Sequence, residues 1–224
     1  MEVKTVSFGA KNSNPRKNKQ FNVSGEVSKI TIHHMAGIMD AEQCAKMHLA
    51  GTKSSANYYI GVKGEIVRGV SEDRRAWTSS SRSNDYNAIT IEVSNNSDSS
   101  PWEVSKASMD ALIALCADIC IRHKIPKLIY TGKEDGTLTE HRMFAKTECP
   151  GEYLHSKMGE IAERVNGVIN PKSTPENVYI VKKGDTLYKI AINHHTTVNA
   201  LRAINPAITD PNKIYPGQEV RLKW

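Results

Sequence analysis

The chain has 224 residues, with 30 lysines and arginines against 24 aspartates and glutamates, which gives a formal net charge of +6. Hydrophobic residues make up 39% of the sequence and charged residues 24%, a composition that excludes a disordered or collagen-like chain. No apolar run reaches the ~20 residues that a membrane-spanning helix needs, and the length suits one large domain or a medium one with a small companion.

The first 25 residues and the cysteines indicate where the protein is made. Segment 1–25 is polar and rich in lysine and arginine without an apolar stretch, so we expect no secretory signal peptide. Cys44, Cys116, Cys120 and Cys149 do not indicate a disulfide framework in a chain of this size. We therefore expect synthesis in the reducing cytoplasm, and no insertion into a membrane.

Strand and helix patterns alternate in the first part of the chain. Alternating β-branched residues predict strands over 29–34, 57–62 and 88–93. Asp40 with Gln43 resembles a capping box that opens a helix ending near Ala50. These elements predict an α/β domain with helices covering a mostly buried sheet.

A second capping box, formed by Ser100 and Glu103 with proline between them, predicts the start of a longer helix. That helix should bury one face, formed by Met109, Leu112, Ile113, Cys116, Ile119 and Cys120.

Segment 166–177 is rich in proline, glycine and polar residues and is predicted to be a linker between domains 1–165 and 178–224. The second domain has seven basic and three acidic residues, a net charge of +4, which leaves +2 for the rest of the chain. Such an excess indicates attraction to a polyanion but is too small to indicate nucleic acid, and we expect no nucleic-acid partner. A solvated surface is the simpler interpretation.

Strand alternation places two chemically active side chains on one side. Ile30 and Ile32 share one face of their strand, so His33 points to the other, and Glu92 likewise points away from the apolar residues of its strand. If the two strands belong to one sheet, the imidazole and the carboxylate emerge together. Taken singly, each has a simpler explanation, as a buried structural histidine or as a charge on an edge strand.

A second pair, His141 and Cys149, lies just before a Pro-Gly sequence. Imidazole and thiolate both suit Zn²⁺, at ~2.0 and ~2.3 Å. With His33 they would supply three ligands and leave the fourth position of a catalytic zinc site open.

Five segments, in order, resemble the zinc-dependent N-acetylmuramoyl-L-alanine amidases, a family that includes phage endolysins and peptidoglycan recognition proteins. They are residues 32–37, 55–64, 76–77, 87–92 and 140–151. The resemblance extends over roughly 25–165. It implies a mixed sheet flanked by helices, a zinc ion in a surface groove, and cleavage of the lactyl–L-alanine amide that joins glycan to stem peptide.

The resemblance assigns the metal ligands to His33, His141 and Cys149. His34 remains an alternative for the first ligand. Tyr58 and Tyr59 are candidates for lining the groove, although core packing is the simpler interpretation for at least one of them.

The same resemblance gives catalytic roles to two residues. Glu92 would move a proton from water to the leaving amine, and the Thr147 hydroxyl would stabilise the oxyanion or anchor the substrate. Ala56, Asn57 and Thr78 stand where relatives have tyrosine or histidine. Glu92 is therefore the strong candidate for proton transfer.

The second domain reads as strand, turn, helix, helix, loop and strand, with Gly184 in the first turn and a turn at 215–218. This order resembles a single lysin motif (LysM), a small βααβ domain. The resemblance implies binding of N-acetylglucosamine-containing glycans in a shallow groove, near Gly184, Asp185, Thr186, Leu187 and Asn205.

The leading hypothesis is a monomeric zinc amidase that hydrolyses bacterial peptidoglycan and is held on the wall by the LysM domain. Without a signal peptide, it would reach the wall as a phage endolysin does, although a prophage-derived or bacterial autolysin would have the same sequence features. One alternative is a non-catalytic peptidoglycan-binding protein on the same fold. Another is a cysteine peptidase that uses Cys149 with His141, but wall peptidases of that class usually have the cysteine first.

Overall fold

A computed structural model describes residues 2–5, 12–17, 25–50, 53–170 and 178–222. The chain divides into two compact units, 1–170 and 171–224. Within the described residues, no helix is both long enough and apolar enough to cross a membrane.

Short strands and helices alternate along both units. The first contains β1 (Val3–Thr5), β2 (Ser13–Pro15), β3 (Lys29–His34), α1 (Ala41–Ala50), β4 (Tyr58–Ile60), β5 (Ile66–Arg68), β6 (Arg74–Ala76), α2 (Arg82–Asn87), β7 (Ala88–Val93), α3 (Lys106–Arg122), β8 (Leu138–Glu140), a 3-10 helix (His141–Met143) and α4 (Gly151–Ile169). The second contains β9 (Val178–Ile180), α5 (Leu187–Asn193), α6 (Val198–Ile204) and β10 (Glu219–Arg221).

A six-stranded mixed sheet with the order β1-β5-β4-β7-β3-β8 is the centre of the first unit. β4 and β5 are antiparallel, and the other neighbouring pairs are parallel. The predicted strands 29–34 and 88–93 are confirmed to the residue and are direct neighbours, whereas the strand predicted over 57–62 covers only Tyr58–Ile60. The predicted fold class, a mixed sheet flanked by helices, is confirmed.

The two faces of the sheet differ in chemistry. One carries Ile30, Ile32, Ile89, Ile91 and Val93, which pack with α3 and α4 in the main hydrophobic core. The predicted apolar stripe of α3 is buried there, as expected from its spacing. The opposite face is polar where β3 and β7 meet, and α1 and α2 contact it. Both faces are therefore covered, as parallel strands require.

The start of the long helix differs from the prediction. α3 begins at Lys106 after an N-cap at Ser105, whose hydroxyl accepts a hydrogen bond from the Ser108 amide at 3.0 Å. The capping box predicted at Ser100 is wrong because Trp102 has a φ of 63°, a left-handed conformation that a helix cannot include. For α1, by contrast, the Gln43 amide donates to Asp40 at 2.7 Å, which confirms the predicted cap.

α4 extends into the segment predicted as a linker. It runs to Ile169, and near its end the Asn166 side chain donates to the Leu128 carbonyl at 2.8 Å and accepts from the Leu128 amide at 2.7 Å. The predicted linker therefore begins four residues too early, and its part over 171–177 lies outside the described residues.

The second unit has the βααβ arrangement predicted for residues 178–224. β9 and β10 form an antiparallel pair, and Val181, Leu187, Ile190 and Leu201 pack in its core. Thr186 caps α5, since its hydroxyl accepts from the Lys189 amide at 3.2 Å.

Arg16 ties β2 to the remainder of the first unit. Its guanidinium is buried and donates to four main-chain carbonyls at 2.6 to 2.8 Å and to the Asn57 side chain at 3.3 Å. The carbonyls belong to Glu72, Asp85, Tyr86 and Ala88. Burial lowers the pKa of Arg16 to about 10, so it remains protonated at neutral pH.

We expect Arg16→Met to lower the free energy of unfolding by about 3 kcal/mol or more, because several buried carbonyls lose their donor at once. Urea unfolding measures the change. Lys17→Met, at the exposed neighbouring residue, is the control and should change stability by less than about 0.5 kcal/mol. Equal stability of the two variants would contradict this role for Arg16.

Candidate metal centre

Three potential metal ligands converge at the carboxyl end of β3 and β8. His33 is the fifth residue of β3, His141 follows β8 directly, and Cys149 ends the loop before α4. One ligand atom from each lies within 4.8 Å of the other two. The sheet supplies this convergence because β3 and β8 are parallel neighbours whose carboxyl ends meet at one edge.

The separations within this cluster are short. Cys149 Sγ lies 3.7 Å from His33 Nδ1, and the His33 and His141 ring centroids are 4.7 Å apart. Nε2 of each histidine is buried, and neither has a hydrogen-bond partner among the described residues. Buried polar atoms are normally paired, so unpaired imidazole nitrogens beside a thiol are consistent with a site that an ion completes.

The protonation chemistry of the cluster also suits a metal. Burial lowers the pKa of His33 and of His141, which keeps both imidazoles neutral and able to coordinate. Burial, together with the nearby Glu92 carboxylate, raises the pKa of the Cys149 thiol. Ionisation of this thiol therefore needs a compensating positive charge, which a divalent cation supplies.

Arg142 holds the loop that carries two of these residues. Its amide donates to the Cys149 carbonyl at 3.1 Å, and its guanidinium donates to the Glu148 carbonyl at 2.8 Å and to Glu152 at 2.9 Å. These contacts close the chain between His141 and α4. The sequence analysis did not identify Arg142, although the residue directly follows the candidate ligand His141.

Thr147 lies in the same loop. Its hydroxyl oxygen accepts a hydrogen bond from the Cys149 amide at 3.2 Å, and the side chain is half-buried. The hydroxyl hydrogen is still able to donate.

Glu92 lies beside the cluster. In the parallel pairing of β3 and β7 it is opposite His33, and on its other side it is opposite Tyr59 in β4. Burial raises the pKa of Glu92 to about 8. A carboxyl group with a pKa near neutrality can both accept and release a proton, as a general base and acid must.

His34, the alternative first ligand, lies outside the three-residue cluster. Its ring meets the Trp102 indole edge-on at 5.3 Å between centroids. Its backbone amide donates to Cys149 Sγ at 3.4 Å. His34 therefore contacts the cluster through its main chain.

Two of the three residues that depart from the family pattern make hydrogen bonds within the fold. The Asn57 side chain donates to the carbonyls of Val70, Ser71 and Arg74. The Thr78 hydroxyl donates to the Ser55 carbonyl at 2.6 Å and lies 2.9 Å from the Thr90 hydroxyl. Tyr58 and Tyr59 are both buried, so core packing describes the two tyrosines better than groove lining.

In the second unit, the side chains predicted to contact glycan are largely used within the fold. Leu187 is a core residue, and the Asn205 amide group bonds to Leu201 and Arg221. The Asp185 carboxylate accepts from the Tyr179 hydroxyl at 2.7 Å. Gly184, with a φ of 89°, and Thr186 remain exposed. Glycan contact at these five positions stays a prediction. The side chains of Leu187 and Asn205 are buried, so any glycan contact at these two positions would involve mainly the main chain.

Comparison with known proteins finds a family match within each of the two units. Residues 23–152 match the family described as N-acetylmuramoyl-L-alanine amidase, and residues 179–223 match the LysM domain. The chain is 28% identical to N-acetylmuramoyl-L-alanine amidase XlyB of Bacillus subtilis over 208 residues, which cover 86% of this chain and 61% of that protein. It is 48% identical to the endolysin of Bacillus phage PZA over 59 residues, which cover 26% of this chain and 23% of that protein.

A similar fold occurs in the amidase LysC from Clostridium intestinale URNW, with a TM-score of 0.52 and 20% identity over 71% of this chain and 96% of that one. At this identity the likeness shows the fold alone. The chain spans about three fifths of the length of XlyB.

We expect Cys149→Ser to lose tightly bound zinc, because a neutral hydroxyl replaces the anionic ligand. Inductively coupled plasma mass spectrometry after gel filtration measures the metal per chain. Cys44→Ala, at a buried cysteine outside the cluster, should keep the wild-type content. Equal zinc in both variants would exclude Cys149 as a ligand.

Proposed function

Because the chain belongs to the N-acetylmuramoyl-L-alanine amidase family, we propose that it hydrolyses the amide between N-acetylmuramic acid and L-alanine in bacterial peptidoglycan. The observation that carries this proposal is the convergence of His33, His141 and Cys149, with Glu92 in register on the neighbouring strand. The convergence supplies ligands and a proton carrier at one edge of the sheet. As an endolysin-like hydrolase, the protein would act on the cell wall.

The family is zinc-dependent in general, and we propose that His33, His141 and Cys149 hold Zn²⁺ here. Two neutral imidazoles and one thiolate match the ligand preferences of this ion. When bound, zinc supplies a water of lowered pKa and polarises the scissile carbonyl.

Glu92 is the proposed general base and acid. Its carboxylate takes a proton from the attacking water and delivers that proton to the amide nitrogen as the bond to the lactyl carbon breaks. Its place on β7 favours this role, because a strand paired on both sides fixes the position of the carboxyl group.

Thr147 is proposed to donate a hydrogen bond to the substrate. Its oxygen already accepts from the Cys149 amide, and the hydroxyl hydrogen remains able to donate to the substrate. A neutral donor at this position stabilises a developing oxyanion, with less electrostatic strength than a lysine would have.

The second unit is proposed to bind peptidoglycan glycan through its loops. Gly184 and Thr186 are exposed in the turn before α5, and Pro206 and Ala207 are exposed after Asn205. Exposed main-chain groups of these loops are proposed to hydrogen-bond acetamido groups. The net charge of +4 in this domain adds attraction to an anionic wall.

We expect Glu92→Gln to lower the rate of amide hydrolysis by about 100-fold or more while zinc content is unchanged, because the amide cannot carry the proton. Mass spectrometry of digested peptidoglycan measures the released stem peptides with a free L-alanine amine. Glu103→Gln, at an exposed glutamate, is the control. Full activity of Glu92→Gln would overturn the proposal. So would a wild-type digest whose fragments show cleavage at a bond other than the muramoyl–L-alanine amide.

Deletion of residues 178–224 should reduce sedimentation with purified cell walls by about tenfold, since the proposed glycan-binding unit is lost. Zinc content and cleavage of a soluble muramyl peptide should stay at the full-chain level, because the ligands lie in the other unit. Loss of zinc on this deletion would refute separate roles for the two units.

A further inference from the structure

Trp102 is an aromatic residue at the edge of the metal centre for which the proposed chemistry has no use. It lies in the loop between β7 and α3, at the carboxyl end of the sheet where the three candidate ligands meet. Its side chain is partly exposed. Loops at this end of parallel strands commonly form the binding groove of an α/β fold.

Trp102 lies close to Cys149 through contacts with two neighbouring residues, His34 and Gly151. The indole meets the His34 ring edge-on at 5.3 Å, and the His34 amide donates to Cys149 Sγ at 3.4 Å. Trp102 also packs on Gly151, where an added Cβ would come within 2.8 Å of the Trp102 Cβ. Trp102 therefore contacts His34, which follows the candidate ligand His33, and Gly151, which lies two residues after Cys149.

The backbone holds Trp102 in an unfavourable conformation. Its φ of 63° is costly for a bulky residue, and such conformations persist where the surroundings impose them. The Trp102 amide donates to the Ser99 carbonyl at 2.9 Å, the Asn95 side chain donates to the Trp102 carbonyl at 2.8 Å, and the Tyr153 amide donates to the Pro101 carbonyl at 2.8 Å. These bonds fix the backbone from which the indole projects at the edge of the site.

The indole nitrogen of Trp102 has no hydrogen-bond partner in the part of the chain that the structure describes. Trp77 differs, because its indole nitrogen donates to Asn14 at 2.8 Å. Trp102 thus presents a flat apolar ring together with an unused donor, and tryptophans so placed commonly bind ligands with one apolar and one polar side.

We propose that Trp102 forms a saccharide subsite beside the metal centre, on which the pyranose ring of the muramoyl group packs. This inference rests on the proposed function, which places a muramoyl–peptide bond at the metal. A pyranose has a face of C–H groups that fits an aromatic ring and a rim of oxygens that accept from an indole N–H. The stem peptide next to that bond has small or charged side chains and offers no comparable face.

The test uses the full chain, loaded with zinc and carrying Glu92→Gln, so that bound substrate is not consumed. The probes are N-acetylmuramoyl-L-alanyl-D-isoglutamine and the sugar-free dipeptide L-alanyl-D-isoglutamine. We expect Trp102→Leu to weaken calorimetric binding of the muramyl peptide about tenfold and to leave binding of the sugar-free dipeptide unchanged. Trp102→Phe, which keeps a flat ring, should lose less. Equal affinities in all three proteins would overturn the subsite.

A second measurement, by nuclear magnetic resonance, observes the protein with Trp102 in place. The indole N–H resonance of Trp102, assigned by its disappearance in Trp102→Phe, should shift when the muramyl peptide binds and stay in place with the sugar-free dipeptide. The Trp77 indole resonance serves as the internal reference, since that N–H is already bonded. A Trp102 resonance that the muramyl peptide leaves unmoved would overturn the proposal even if Trp102→Leu fails to fold.

The two proposals fail separately. If the wild-type protein releases stem peptides while Trp102 has no effect on binding, the subsite is wrong and the proposed amidase function stands. If the wild-type protein cleaves no muramyl–alanine bond, the amidase function is wrong, and the two binding measurements still decide the role of Trp102.

Discussion

The parallel strands β3 and β7 pair residue for residue, from Lys29 with Ala88 to His34 with Val93, and this register places His33 beside Glu92. A shift of one residue would move either side chain to the opposite face, among the isoleucines that pack with α3 and α4. Burial of those isoleucines therefore fixes the register and, with it, the relative position of the candidate metal ligand and the proposed proton carrier. The hydrophobic core on one face determines the chemistry on the other.

The polar face needs support of a different kind, because hydroxyl and amide groups buried there must find partners. The Thr31 and Thr139 hydroxyls bond across β3 and β8 at 2.9 Å, and Asn84 on α2 donates to Thr31 at 2.9 Å. This layer lies beneath His33 along the same strand face. It holds the sheet together behind the site without the apolar packing that would have excluded an imidazole and a carboxylate.

The parts that follow from local patterns could be predicted from the sequence, and those that depend on tertiary contacts could not. Alternation was enough to bring His33 and Glu92 to one side, because both strands are short and end in register. The helix start at Ser100 failed because three hydrogen bonds, one of them from the distant Tyr153 amide to the Pro101 carbonyl, hold this segment in a loop despite favourable capping residues. Asn205 was predicted to bind glycan because of its place in a motif, yet its side-chain amide donates to the Leu201 and Arg221 carbonyls inside the second unit. In each failure, a distant partner decided the conformation.

The two halves of the candidate site are held by different means, and this difference separates their functions. His33 and Glu92 belong to the central sheet, whose order comes from pairing between residues far apart in sequence. His141 and Cys149 belong to one short loop, which Arg142 closes through local contacts to main-chain carbonyls. Local closure can open at a lower free energy than the sheet can unfold. Retention of a metal at the candidate site would therefore depend on the loop as well as on the sheet that carries His33, whereas the placement of Glu92 depends on the sheet and its core.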